Sequence, residues 1–321
     1  MFPTQEGLSL GIGDDCAILD PGRFDLVTTD TIIEGVHFRL DWCSAEDIGW
    51  KAIACSLSDI AAMGGGPGAF FLNLALPENL DNAFIDGLLK GMKDCCVALV
   101  PTGFECSIGG GDITSSPGPL VISVTLLGEA SPAGPVTRSN ALPGDRLAIL
   151  GATGISRAAL ELLTNHPDKT AEFETLIAKY RRPQPRVREG ALLGLYGVPS
   201  ALIDISDGLL QDLSHILKSS GVGAKIEAHN LPTDPMLLSA CDAITNGGNL
   251  FLDYALNGGE DFELLIVVPP ARMTKLWDLA RRYDWDVYDI GEIRSPEEGL
   301  IVIGLEGERL DIQPNGYEHF S

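Results

Sequence analysis

Positive charge is in short supply: 22 lysines and arginines stand against 45 aspartates and glutamates, a formal net charge of −23. A nucleic-acid backbone or an anionic membrane surface would be repelled over most of such a surface, so neither is an expected partner. Any anionic small molecule meets the same repulsion unless cations stand between it and the protein. No apolar run approaches the length of a membrane span, and the opening MFPTQEGLSL lacks the basic and apolar blocks of a secretory leader. The seven cysteines (Cys16, Cys43, Cys55, Cys95, Cys96, Cys106, Cys241) contain no C-x-x-C pair and are odd in number. That argues against a zinc site or a disulfide framework and for reduced thiols in a cytoplasmic protein. Aromatic residues make up only 7%, while 37 glycines and 20 prolines accompany 45% hydrophobic residues, the composition of a loop-rich globular α/β chain.

Several catalytic signatures are missing as well. There is no G-x-x-x-x-G-K-[ST], no complete G-x-G-x-x-G, no H-E-x-x-H and no G-x-S-x-G. Their absence removes the P-loop, the standard dinucleotide site, the zincins and the serine-hydrolase elbow. GATG at 151–154 is a partial nucleotide-loop match that reads better as a tight strand-to-helix turn.

At 321 residues the chain exceeds one ordinary core and is expected to form two domains. In the first half FDLVTTD ends a β-rich run at Asp30. S-A-E-D at Ser44–Asp47 is a capping-box signature for a helix reaching Gly64-Gly65-Gly66-Pro67, which places Asp59 near its end. AFFLNLAL reads as a strand, 81–99 as a helix, CSI as a short strand ending at the glycines of GGGD (109–112), and LVISVTLLG as a buried strand. EASPAGPVTRSNALPGD, from Glu129 to Asp145, is a connector by composition and puts the boundary between 1–137 and 138–321. Beyond it RLAIL-GATGIS-RAALELL and ALIDIS-DGLLQDLSHIL each read strand, turn, helix, and ELLIVVPP, a helix around 275–282 and VYDIGEI continue the alternation.

What the chain does have is acid at strand ends. GIGDD, TTDTIIEGVHF, SLSDIAAMG, SIGGGD and DISDGL place Asp15, Asp30, Asp59, Asp112, Asp204 and Asp207 beside apolar runs with no lysine or arginine next to them. Taken singly each is an ordinary turn, cap or first-turn acid. Together they suggest carboxylates converging in one cleft, where they would repel unless protonated or neutralised by divalent cations. Magnesium suits a scattered oxygen-donor set shared with substrate phosphates. GGGD is expected to let backbone amides approach a phosphate, and a helix starting at Ser206-Asp207-Gly208 to present free amides to an anion.

GIGDD, TTDTIIEGVHF, SLSDIAAMGG, GGD, VTRSNALPGD, DISDGL, GGEDFELL and the terminal GYEHF stand in the order found in the thiamine-monophosphate kinase family, and the chain resembles that family from Gly11 to Phe320. Ten residues precede Gly11, where the family carries a longer segment. The resemblance implies a two-domain, mixed α/β (α+β) architecture of the aminoimidazole ribonucleotide synthetase-like kind, with a nucleotide- and magnesium-binding N-terminal sheet domain used for homodimerisation and a C-terminal α/β domain completing the site. It implies ATP as co-substrate, thiamine monophosphate as acceptor and several Mg2+ ions. Magnesium ligands carried over are Asp15, Thr28, Thr29, Asp30, Asp59, Asp112, Asp204 and Asp207. Gly111, Asp112, Arg138 and Ser206 would serve ATP, and His37, Glu260 and Tyr317 the acceptor. No protein general base is implied, because the acceptor is already an anionic phosphate oxygen. The alternatives are another ATP-dependent superfamily enzyme, such as an aminoimidazole ribonucleotide or selenophosphate synthetase, and a non-catalytic maturation or scaffold protein.

Overall fold

The computed structural model describes residues 8–10, 18–19, 22–245, 250–312 and 314. Two compact units partition the chain, one holding 1–135 and 181–192, the other 136–180 and 193–321.

In the first unit β1 (Leu8–Leu10) pairs antiparallel with β2 (Ile18–Leu19). A four-stranded sheet is formed by β3 (Leu26–Ile33), β4 (Gly66–Pro77), β5 (Ser107–Ser116) and β6 (Val121–Glu129), in the order β3-β6-β4-β5. Helices α1 (Ala45–Ala62) and α2 (Asn82–Leu99) complete the unit. The capping box read at Ser44 is present: its hydroxyl accepts from Asp47 N, and the Asp47 carboxylate accepts from Ser44 N. Ile48, Ile53, Leu57 and Ile60 of α1 and Leu88 and Met92 of α2 join Phe70, Leu72, Leu74, Ile122, Val124 and Leu126 of the sheet in one buried core. Glycine decides how closely the helices approach, since a Cβ at Gly49 would lie 1.9 Å from the Leu88 carbonyl and one at Gly91 1.9 Å from that of Glu46. The 181–192 segment joins this unit through polar contacts: Trp50 Nε1 donates to the Pro183 carbonyl at 2.7 Å, and the Arg182 guanidinium pairs with Asp47.

Two strand expectations are corrected. β6 alternates half-buried with buried positions, because among the described residues helices cover one face of its sheet. The glycines of GGGD do not form a loop at the end of a short strand; they run through β5, which pairs parallel with β4. A Cβ at Gly111 would stand 1.8 Å from the Leu72 carbonyl, so close backbone pairing requires glycine there.

The second unit holds a seven-stranded sheet. Its elements are β7 (Arg146–Leu150), α3 (Ile155–Asn165), α4 (Glu174–Arg181), α5 (Val187–Leu195), β8 (Ala201–Ile205), α6 (Leu209–Ser220), β9 (Gly223–Glu227), α7 (Pro235–Thr245), α8 (Phe251–Asn257), β10 (Glu263–Val268), α9 (Met273–Tyr283), β11 (Val287–Arg294), β12 (Leu300–Ile303) and β13 (Arg309–Leu310), α4 and α5 passing into and out of the 181–192 segment. The strand order is β13-β12-β9-β11-β7-β10-β8. Although the chain reads as alternating strand and helix, β10 lies between β7 and β8 and runs antiparallel to both. Within this sheet, among the described strands, only β12 and β9 pair in parallel. The segment GGEDF before β10 is thereby set against the end of β8, with Glu263 opposite Ile205. Among the described residues no helix is long and apolar enough to cross a membrane.

Candidate active site

Each unit carries its own acidic group. In the first, strand alternation turns Thr28 and Asp30 of β3 toward α1, where Asp59 and Ser56 lie one turn apart on the helix. The Thr28 hydroxyl donates to Asp59, and the Ser56 hydroxyl donates to Asp30 Oδ2 at 2.7 Å. Burial, and next the charge of Asp59, push the Asp30 carboxyl from 3.8 up to about 6, with the Ser56 hydrogen bond acting against them. Two carboxylates and two hydroxyls form an oxygen-only donor set that is electrostatically uncomfortable by itself, which fits a hard divalent cation.

The other first-unit candidates sit elsewhere. Asp30, Val124, Leu72 and Gly111 form one register row across the sheet, and Thr31, Ser123, Asn73 and Asp112 form the next. Asp112 therefore belongs to the face opposite Asp30, on the other edge strand, three inter-strand spacings or about 14 Å away. Thr29 turns to that open face too, where its hydroxyl meets Thr125 Oγ1 at 3.1 Å. Within this unit Thr28, Asp30 and Asp59 come together, while Thr29 and Asp112 stand apart from them. Asp15 and Tyr317 lie outside the described residues.

His37 sits in the turn after β3. Its Nδ1 accepts the Ile33 amide at 3.1 Å, and its carbonyl accepts Nζ of the buried Lys51 at 2.9 Å. With Nδ1 an acceptor, Nε2 carries the proton of the neutral ring. Sequence reasoning passed over Lys51 because a buried lysine within an apolar helix looks like a surface charge until the fold encloses it.

In the second unit β8 ends in Asp204-Ile205, and the turn Ser206-Asp207-Gly208 leads into α6. The expectation of free amides here is wrong. The N–H groups of Ser206, Asp207 and Gly208 all donate to Asp212 Oδ2, at 3.0, 3.0 and 3.1 Å. Gly208, with no side chain, is the N-cap of α6, which begins at Leu209. The Ser206 and Ile205 carbonyls are also engaged, accepting the Glu260 and Phe262 amides at 2.7 and 2.8 Å. Burial, followed by the charges of Asp204 and Asp207, pushes the Asp212 carboxyl from 3.8 up to about 8, the loop amides pulling the other way. Asp207, Asp212 and His215 bring potential ligand atoms within 4.8 Å of one another. Asp212 and His215 were missed in the sequence; the signal was D-x4-D-x2-H, which sets Asp212 and His215 on one face of α6.

Glu260 follows the same loop with φ 64, and Phe262 has φ 54. Between them Asp261 caps a helix rather than its own turn: Oδ2 accepts Gly154 N at 2.5 Å and Oδ1 accepts Ser156 N at 2.9 Å, at the start of α3. The Ser156 hydroxyl donates to the Glu260 carbonyl at 2.8 Å. Arg138 is exposed in the connector, where its carbonyl accepts from Ser220 Oγ. The buried Cys95 and Cys106 thiols are held well above their usual range, Cys95 mainly by burial and Cys106 by a hydrogen bond with Cys96 and by burial, so both stay protonated and unreactive.

Two α/β units with carboxylate-and-hydroxyl donor sets define a class of protein, and the family comparison agrees with it. Residues 13–130 match AIR synthase related protein, N-terminal domain, and residues 143–303 match AIR synthase related protein, C-terminal domain. The thiamine-monophosphate kinase of Bacillus subtilis is 33% identical over 98% of this chain and 95% of its own length. The crystal structure of thiamine-monophosphate kinase from Stenotrophomonas maltophilia is 34% identical with a TM-score of 0.82, covering 95% of this chain and 93% of that one. A structure of AaThiL complexed with AMPPCP and TMP is 33% identical with a TM-score of 0.78, covering 97% and 93%. The chain belongs to the thiamine-monophosphate kinase family.

Proposed function

We propose that this chain is an ATP-dependent thiamine-phosphate kinase that converts thiamine monophosphate to thiamine diphosphate, releasing ADP. The observation that carries the reading is the likeness, over nearly the whole chain, to a family member complexed with AMPPCP and TMP. The bond between the γ-phosphorus of ATP and the β,γ-bridging oxygen breaks as a phosphate oxygen of thiamine monophosphate bonds to that phosphorus. The nucleophile is already anionic, so catalysis rests on positioning and charge neutralisation without a protein base. Magnesium ions, when bound, neutralise the facing phosphates. Thr28, Asp30 and Asp59 in the first unit and Asp204 and Asp207 in the second are the residues that would hold them, with Asp15, Thr29 and Asp112 as further ligands. Gly111, Asp112, Arg138 and Ser206 serve ATP. His37, together with Glu260 and Tyr317, serves the acceptor. The protein works as a cytoplasmic homodimer, a reading supported, among the described residues, by the sheet face that bears the exposed Val27 and the half-buried Phe71 and Ala75.

The test is product analysis with ATP, thiamine or thiamine monophosphate, and varied Mg2+. The expected result is thiamine diphosphate formed from the monophosphate in a metal-dependent manner, with free thiamine a poor acceptor. Efficient metal-free transfer, or preference for thiamine, overturns the assignment. ADP formation stimulated by another acceptor class would favour a different superfamily activity.

A further inference from the structure

Three successive amides converging on one carboxylate oxygen are unusual at a helix start. Successive N–H groups at such a turn form a concavity that elsewhere holds phosphate or another external anion. Here the anion is internal. Asp212 is 2% exposed, and its Oδ2 accepts from Ser206, Asp207 and Gly208 together. The positive end of the turn is consumed, and the Ile205 and Ser206 carbonyls are spent on the 260–262 segment. What the loop can offer a ligand is the side chains of Ser206 and Asp207, both half-buried, next to Asp204. A loop of this kind repels bare phosphate and attracts cations.

We propose that Asp212 is a positioning residue: by occupying the amides of residues 206–208 it turns this loop from an anion-binding turn into a metal-binding one and holds Asp207 in place for a divalent cation. The inference rests on the kinase reading for the identity of the metal's partner, ATP, but not for the metal preference of the loop. Asp212 does not touch substrate in this account, and its own carboxylate is not a ligand.

The discriminating experiment compares Asp212→Ala, Asp212→Asn and Asp207→Asn with the unsubstituted protein. Asparagine keeps an oxygen for the three amides and loses the charge; alanine loses both. Binding of Mn2+ alone is followed by the electron paramagnetic resonance signal of the free ion, and the Mg2+ concentration for half-maximal turnover is measured beside the KM for thiamine monophosphate. Asp212→Ala is expected to weaken metal binding by about ten- to a hundredfold, the usual scale for losing a group that orients a ligand. It should lose the Mn2+ site that Asp207→Asn loses and leave the acceptor KM within about twofold, while Asp212→Asn retains that site within a few-fold. Equal loss in Asp212→Asn would make Asp212 a ligand and overturn the proposal, as would an unchanged Mn2+ isotherm in Asp212→Ala or a parallel rise in acceptor KM. Should the alanine variant not fold, Asp212→Ser, whose hydroxyl is too short to reach all three amides, takes its place with the same expectations. Failure of the kinase reading would show separately, as absence of thiamine diphosphate formation by the unsubstituted protein with its Mn2+ isotherm intact.

Discussion

Replacing Asp261 with asparagine is expected to flatten the pH dependence of the second unit's stability. The Asp261 carboxylate accepts Gly154 N and Ser156 N at the start of α3. Burial is the largest cause that moves it from 3.8 up to about 7; the two amides oppose the rise and the charge of Glu263 adds to it. A carboxyl raised on folding binds more protons in the folded chain than in the unfolded one between those two values. The free energy of unfolding therefore falls as pH rises from about 4 to about 7 and levels above that. At about 1.4 kcal/mol per pH unit the interval bounds the effect at on the order of 4 kcal/mol. Asp261 is only half-buried by area, so solvent screening reduces the expectation to on the order of 2 kcal/mol.

Asparagine at this position keeps one acceptor oxygen and leaves one of the two amides without its partner, a pH-independent cost of about 1 to 3 kcal/mol. The variant should be the less stable protein near pH 4.5 and approach or cross the parent near pH 8. Urea denaturation followed by far-ultraviolet circular dichroism at several pH values, with hydrogen exchange of the first-turn amides of α3 to localise the effect, measures the difference between the two. Other titrating groups cancel in that difference. Parallel stability curves over the whole interval would refute the reasoning, because they would mean that Asp261 titrates alike in the folded and unfolded chains.

Asp30→Asn and Asp59→Asn should each lower turnover by about a hundredfold or more, the scale set by losing several kcal/mol of charge stabilisation, while the melting temperature in magnesium-free buffer stays level or rises as like charges separate; near-parental activity at limiting Mg2+ would remove these positions from the metal site. Gly91→Ala should destabilise the first unit by about 1 to 3 kcal/mol in urea denaturation, because its methyl would meet the Glu46 carbonyl at 1.9 Å and force α1 and α2 apart. Glu260→Gln and Tyr317→Ala should weaken use of thiamine monophosphate by several-fold to about tenfold with little effect on ATP, and Arg138→Ala the reverse, in separate titrations of the two substrates. Sedimentation should find a dimer at working concentrations; a monomer would remove the homodimer without touching the chemistry.

The local elements were legible because their causes are local. Ser44 and Asp47 close a capping box within four residues, α2 begins one residue inside the 81–99 stretch, and β10, α9 and β11 lie where alternation and periodicity put them. The acidic blocks and their order also sufficed to place the chain in its family, since motif identity needs no coordinates. Their chemistry, too many carboxylates with too few cations beside them, already pointed to metal.

Only the tertiary structure decided what each carboxylate faces. Whether a strand aspartate turns to a helix or away from it depends on register across β3, β6, β4 and β5, which is why Asp30 meets Asp59 while Asp112 occupies the opposite face. Whether the amides of 206–208 are available depends on a side chain four to six residues further on, Asp212, which the folded unit buries. Asp261 caps a helix more than a hundred residues earlier in the chain, through a strand order that inserts β10 between β7 and β8. Hydrogen bonds within one turn follow from residue type and spacing; those between distant segments follow from which backbones the packed core brings within about 3 Å, and no local pattern encodes that distance.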